Sequence, residues 1–221
     1  MRKINKTAIL STAYKTWEES LETHPDYDNS TIKKKFYRDV VMNLFHCQQG
    51  LCAYTEQLLC ISDFYDAKNW QDGIYQKPAK WSVKGQLEHF DSTQKKTKGW
   101  LWDNFFMADT DVNTKIKRSN SVDEILKFDR SDYDEFQLLE YNSELHIFIA
   151  KTNLEEDRQV RINEMLFTLG VNHEPVRTVR EDYLETQIRS VLSKINTWES
   201  LKIIMFPTAF EFCKREILEK S

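Results

Sequence analysis

The chain has 221 residues, 40% of them hydrophobic and 30% charged, with a formal net charge of −4. That is enough apolar material for a sizeable core, and five glycines with four prolines exclude a linker-rich or disordered composition. Apolar runs such as Ile203-Ile204-Met205-Phe206 fall far short of the roughly 20 residues that span a bilayer, and Arg2-Lys3 leads into no apolar leader, so a cytoplasmic location with no membrane partner is the expectation.

In chain order, residues 8 to 23 read as a helix followed by a polar Pro25-Asp26 turn, an accessory cap. From Ser30 the residues Ile32, Phe36, Val40 and Leu44 recur every fourth position, with Val41 and Phe45 beside them, which predicts an amphipathic helix ending near Gly50. Residues 53 to 60 read as one more short helix. Residues 61 to 84, with Gly73, Pro78 and no clean period, read as a loop or insertion. Gln86 to Phe90 is short and extended, Trp100 to Met107 is a second strand-like run, and Thr110 to Arg118 is a helix.

Further on, Phe136 to Tyr141 and Leu145 to Ala150 are β-favouring runs around Asn142-Ser143-Glu144, a hairpin. Helices follow over 154–169, stopped by Gly170, and over 175–195, with Val176, Val179, Tyr183, Ile188, Val191 and Ile195 near one face. Two more are expected over 198–206 and 209–218, broken at Pro207. The fold class is therefore α+β and mainly helical. The expected divisions are an N-terminal helical region at 1–50, a central module at 51–120, and a hairpin with C-terminal helices at 121–221, all in one compact unit.

Cysteines at 47, 52, 60 and 213 form no CxxC pair and no disulfide framework. Of three basic clusters, Lys33-Lys34-Lys35 reads as a solvated helix face. Lys95, Lys96 and Lys98, and Lys115 with Lys117 and Arg118, flank the most chemically suggestive stretch and are candidate phosphate contacts.

That stretch holds Glu88-His89-Phe90, then Trp102-Asp103-Asn104, then Asn113-Thr114-Lys115. Phosphodiester hydrolysis needs a base that works near neutral pH and a positive charge where negative charge develops; a histidine and an oxygen-ligated divalent cation supply these. Glu88 and His89 are adjacent, so a regular strand sends them to opposite faces, whereas a strand end or bulge aims both near one phosphate. No glycine-rich phosphate loop is present.

With Cys52-Ala53-Tyr54-Thr55-Glu56 ahead of these motifs and Leu169-Gly170-Val171-Asn172 plus Arg177 and Arg180 after them, the chain resembles the HNH endonuclease superfamily. The likeness spans about residues 50 to 184 and is greatest to the PtuB-like branch of Septu and retron-associated anti-phage systems. It implies a ββα-metal module set in helical flanks, with His89 as general base, Asn104 bracing its loop, and Glu88 and Asn113 as ligands of one Mg²⁺ or Mn²⁺. Lys95, Lys96, Lys98, Lys115 and Lys117 would bind nucleic acid, DNA favoured over RNA. A separate ATPase chain (PtuA-like) is the implied partner, in a possible hetero-oligomer, with the interface on the helices after Pro175.

Two departures matter. The four positions that carry zinc thiolates in that branch read Cys52, Thr55, Asp109 and Val112, and valine has no ligand atom, so no structural zinc is expected. The usual lysine after the ligand asparagine falls at Ile116. The expected function is DNA hydrolysis as a defence effector; the alternatives are a catalytically decayed subunit that binds a partner or nucleic acid, and an RNA-cleaving nuclease.

Overall fold

The computed structural model describes residues 1–77 and 83–220. The chain divides into two units, one built from 4–53 and 58–122, the other from 1–3, 54–57 and 123–221. The N-terminal helical region and most of the central segment belong to the same unit.

In the unit built from 4–53 and 58–122, helix α1 (Thr12–Glu19) precedes α2 (Ser30–Gln48). The Asn29 side chain accepts hydrogen bonds from the Thr31 and Ile32 amides and so starts α2. Gln49 and Gly50, both in the left-handed region, end it. A side chain at Gly50 would put its Cβ 2.0 Å from the Cys60 carbonyl oxygen, so only glycine fits that turn.

The stripe read from the sequence is buried at Phe36, Val40, Val41, Leu44 and Phe45. Three polar residues share that buried surface, each satisfied by backbone. Asp39 accepts from the Tyr75 amide, Asn43 from the Leu10 and Ser11 amides, and Gln48 grips both the N–H and the C=O of Met107.

The expected helix over 53–60 is absent. Leu51 bridges to Leu58 in antiparallel fashion and Glu56 takes φ 61°, which a helix does not tolerate. The loop expected over 61–84 carries α3 (Ser62–Tyr65) and a two-residue ribbon, β1 (Trp70–Gln71) with β2 (Ile74–Tyr75); Pro78 lies outside the described residues.

Strands β3 (Gln86–His89) and β4 (Phe105–Ala108) pair antiparallel, with Glu88 opposite Phe106 and His89 opposite Phe105. Val112–Lys117 follows as a wide helical turn closed by a 2.8 Å bond from the Arg118 amide to the Asn113 carbonyl, an i→i+5 spacing. The order strand, loop, strand, helix is as the sequence predicts.

In the other unit, α4 (Glu135–Leu138) replaces the first half of an expected strand, because the Asp134 carboxylate caps the Phe136 and Gln137 amides. The hairpin follows as β5 (Leu139–Asn142) and β6 (Ile147–Ala150). Helices α5 (Glu156–Thr168), α6 (Glu174–Leu192) and α7 (Pro207–Glu219) complete it.

Two expectations here are corrected. The buried line of α6 is Val176, Arg180 and Leu184, while Val179 and Ile195 of the expected stripe are 41% and 76% exposed. Residues 198–206 are not helical. The Thr197 and Ser200 side chains exchange hydrogen bonds with each other's amides, and Pro207 excludes the helical conformation at Phe206, which sits at φ 51° and begins α7. Among the described residues no helix is long and apolar enough to cross a membrane.

Candidate active site

Two groups of side chains form around β3, each on its own neighbours. The first centres on Glu88, which is 1% exposed. The ammonium of Lys117, itself fully buried, lies 2.5 Å from Glu88 Oε1 and donates to the His89 carbonyl at 3.2 Å. Glu88 Oε1 lacks the alignment of a hydrogen bond, so charge holds this pair. The Asn113 side chain donates to Gln86 Oε1 at 3.5 Å and sits near enough to the Glu88 carboxylate to favour its charged form. Burial pushes the Glu88 carboxyl above its usual range, and the charge of Lys117 opposes that most strongly. The structure thus brings Glu88 and Asn113 together, the two residues expected to share a cation, and adds Lys117.

The second group fixes His89, also 1% exposed. Its Nε2 lies 2.9 Å from the Gly99 carbonyl. A carbonyl only accepts, so Nε2 carries the proton and Nδ1 holds the lone pair. The Tyr27 and Phe105 rings meet the imidazole edge-on at 4.7 and 4.8 Å. Burial, opposed by the Gly99 carbonyl and reinforced by Lys95 and Lys117, lowers the His89 pKa to about 4, so the ring is neutral at pH 7.

β3 pairs regularly through both residues, without a bulge, and the carboxylate and the imidazole keep separate side-chain neighbours.

Asn104 clasps the chain just after His89. Its Oδ1 accepts from the Asp91 amide at 2.8 Å, its Nδ2 donates to the Asp91 carbonyl at 2.9 Å, and its own carbonyl accepts from the Phe90 amide. The loop that presents the Gly99 carbonyl is anchored in turn: Tyr14 donates to the Trp100 carbonyl, Lys6 donates to the Trp102 carbonyl, and Glu18 accepts from the Trp102 amide. The N-terminal segment therefore sets the position of the histidine's partner.

The lysines divide. Lys95, Lys96 and Lys98 are exposed on the loop after β3, and among the described residues none of them is in an ion pair. Lys115 is exposed and pairs with Asp111 at 2.9 Å. Lys117 faces inward and is no part of an exposed basic surface, because its ammonium neutralises Glu88. Of the four positions compared with zinc thiolates, Cys52 accepts a hydrogen bond from the Asp109 amide, and the Asp109 carboxylate caps the Asp111 and Val112 amides.

Sequence reasoning missed Gly99, Tyr27 and the inward turn of Lys117. Only Gly99 carries a signal: a Cβ there would lie 2.2 Å from the Tyr27 amide nitrogen and 2.4 Å from the Lys95 carbonyl oxygen. No protein-family model matches this chain, and no curated protein matches it.

Proposed function

We propose that this protein is a metal-dependent HNH-type endonuclease that hydrolyses DNA phosphodiester bonds, the effector of a bacterial anti-phage complex with an ATPase on a separate chain. One observation carries the reading. A two-stranded ribbon followed by a helical turn sets Glu88 near Asn113 on one face, fixes His89 on the other as a buried neutral imidazole with a set tautomer, and clasps the following loop with Asn104.

The donor set fits Mg²⁺ or Mn²⁺, since a carboxylate and an amide oxygen are hard ligands and an ion of this kind keeps several waters. Glu88 and Asn113 would hold it, in competition with the Lys117 ammonium for the carboxylate. The ion would supply positive charge for the phosphorane-like transition state. His89 lies on the opposite face of β3 from Glu88 and is 1% exposed, so for Nδ1 to take the proton of the attacking water, with the Gly99 carbonyl stabilising the imidazolium, the strand would have to open at this point. Lys95, Lys96 and Lys98 grip backbone phosphates, which favours nucleic acid without separating DNA from RNA. On α6, Leu192 is 63% exposed, and Ile195 just beyond it is 76% exposed, an apolar end suited to the partner chain.

A second reading, the decayed subunit, is favoured by the near-complete burial of Glu88 and His89 and by the lysine seated on the carboxylate. Cleavage of plasmid DNA and of total RNA with Mg²⁺ or Mn²⁺, by wild type and His89→Ala, alone and with any ATPase that co-purifies, separates them. Cleavage that falls by about 10²-fold or more in the variant is expected. Folded wild type that cuts neither substrate in any combination leaves the decayed reading.

A further inference from the structure

A second set of ligating side chains, unrelated to the nuclease reading, lies in the C-terminal unit. His146 ends the hairpin turn, and Glu181 and Glu185 stand one turn apart on the same side of α6. One ligand atom from each of the three lies within 4.8 Å of the others. Ligand atoms at roughly 2.1 Å from a common ion sit about 3.4 Å apart in tetrahedral geometry, so small side-chain rotations close the gap.

The histidine is held for the purpose. Only 7% of it is exposed, and its backbone takes the left-handed φ of 50° that few residues other than glycine adopt. The buried Arg180 guanidinium donates twice to the His146 carbonyl and fixes the main chain. Tyr141 Oη lies 2.8 Å from His146 Nδ1, so that nitrogen is engaged and Nε2 is left as the ligand atom. His146 and Glu185 both line a cavity of about 380 Å³ that Cys213, Ile188 and Leu192 also border.

We propose that His146, Glu181 and Glu185 form a zinc-binding site whose open fourth position faces this cavity. One imidazole with two carboxylates suits Zn²⁺ better than Mg²⁺, which prefers oxygen ligands alone. The ion would displace Arg189, which pairs with Glu185 at 3.5 Å on the exposed side. Three protein ligands and a free position give a site that takes an anionic or carbonyl-bearing ligand from the cavity side.

The test titrates Zn²⁺ alone into the full-length chain by calorimetry, with wild type, His146→Ala, Glu185→Gln, Tyr141→Phe and His89→Ala. Wild type and His89→Ala are expected to bind one equivalent equally. His146→Ala and Glu185→Gln should each weaken binding by more than about tenfold, and Tyr141→Phe by about tenfold. Glu185 is exposed on a helix, so its variant decides the matter even where His146→Ala fails to fold. Absence of stoichiometric binding to wild type, or unchanged affinity in Glu185→Gln, overturns the proposal.

Discussion

Among the described residues two cations, Arg180 and Lys117, are completely buried, and they are satisfied in opposite ways. Arg180 spreads its charge over the His146 and Val171 carbonyls and lies against the Tyr141, Phe148 and Phe206 rings, with no carboxylate among its hydrogen-bond acceptors. Lys117 puts its charge on one carboxylate, Glu88, and one carbonyl. The first arrangement uses a rigid fork to join backbone segments, with acceptors on the main chain that do not titrate. The second places a compact, mobile ammonium on a group whose protonation and ligation can change. Arg180 is a structural tie, whereas Lys117 is a counter-charge that a competing cation or a proton can release.

Arg180→Met is expected to cost the most, about 4 kcal/mol, since two carbonyls lose their donors and a large side chain loses its packing. Denaturant melts between pH 5 and 8 should show a constant deficit. A deficit that varies with pH would erase the contrast with Lys117.

Lys117→Met should cost about 3 kcal/mol at pH 7 because it strands a buried carboxylate. Here the sign follows from Glu88: its carboxyl is already raised by burial and rises further without the lysine, so the folded variant retains a proton that the unfolded chain loses. The penalty is full above the Glu88 folded pKa and fades as pH falls through it. Glu88→Gln in the same chain should recover most of the loss; no recovery would show that the pair is held for packing alone.

His89 gives a third handle, about 3 kcal/mol. Its pKa is lowered from 6.5 to about 4, so the stability it contributes is complete above pH 6.5 and is lost as pH falls toward 4. Replacing it with asparagine should remove that acid-side slope. The smallest effect is expected on the surface. Reversing Lys95, Lys96 and Lys98 to glutamate should leave melting almost unchanged, weaken nucleic-acid binding, and reduce the slope of log affinity against log salt by about 0.9 for each phosphate that is no longer neutralised.

The parts of the fold that repeat a simple pattern are legible in the sequence. The four-residue recurrence from Ile32 to Leu44 is α2, and the aromatic and β-branched runs about Asn142 are β5 and β6. What fails is the assignment of two particular charges to solvent, Arg180 and Lys117. The stripe expected on α6 is misplaced because Arg180, a residue type that ordinarily faces water, is fully buried there, made tolerable by carbonyls contributed from other parts of the chain. Lys117 looks like a phosphate contact for the same reason.

The proximity of Glu88 to Asn113 and the bracing by Asn104 follow from motif order. The Gly99 carbonyl does not, since an acceptor on the main chain leaves no side-chain trace. Residues 198–206 mislead because Thr197, Ser200 and Pro207 each act over one or two positions, below the window in which periodicity is read.

Gln48 and Asn172 each hold both the N–H and the C=O of one strand residue, Met107 in β4 and Phe148 in β6. Ala53 adds a donor at Met107, and Asn163 accepts from Ala150 two residues along from Phe148. A short ribbon normally offers its outer rim as a template on which another polypeptide can lay down a strand. Here those rims are already occupied by amides from the same chain. Neither β4 nor β6 can recruit a partner, or a second copy, by lengthening its sheet on that rim; of these two ribbons, only β3 and β5 keep a rim on which a strand could be added.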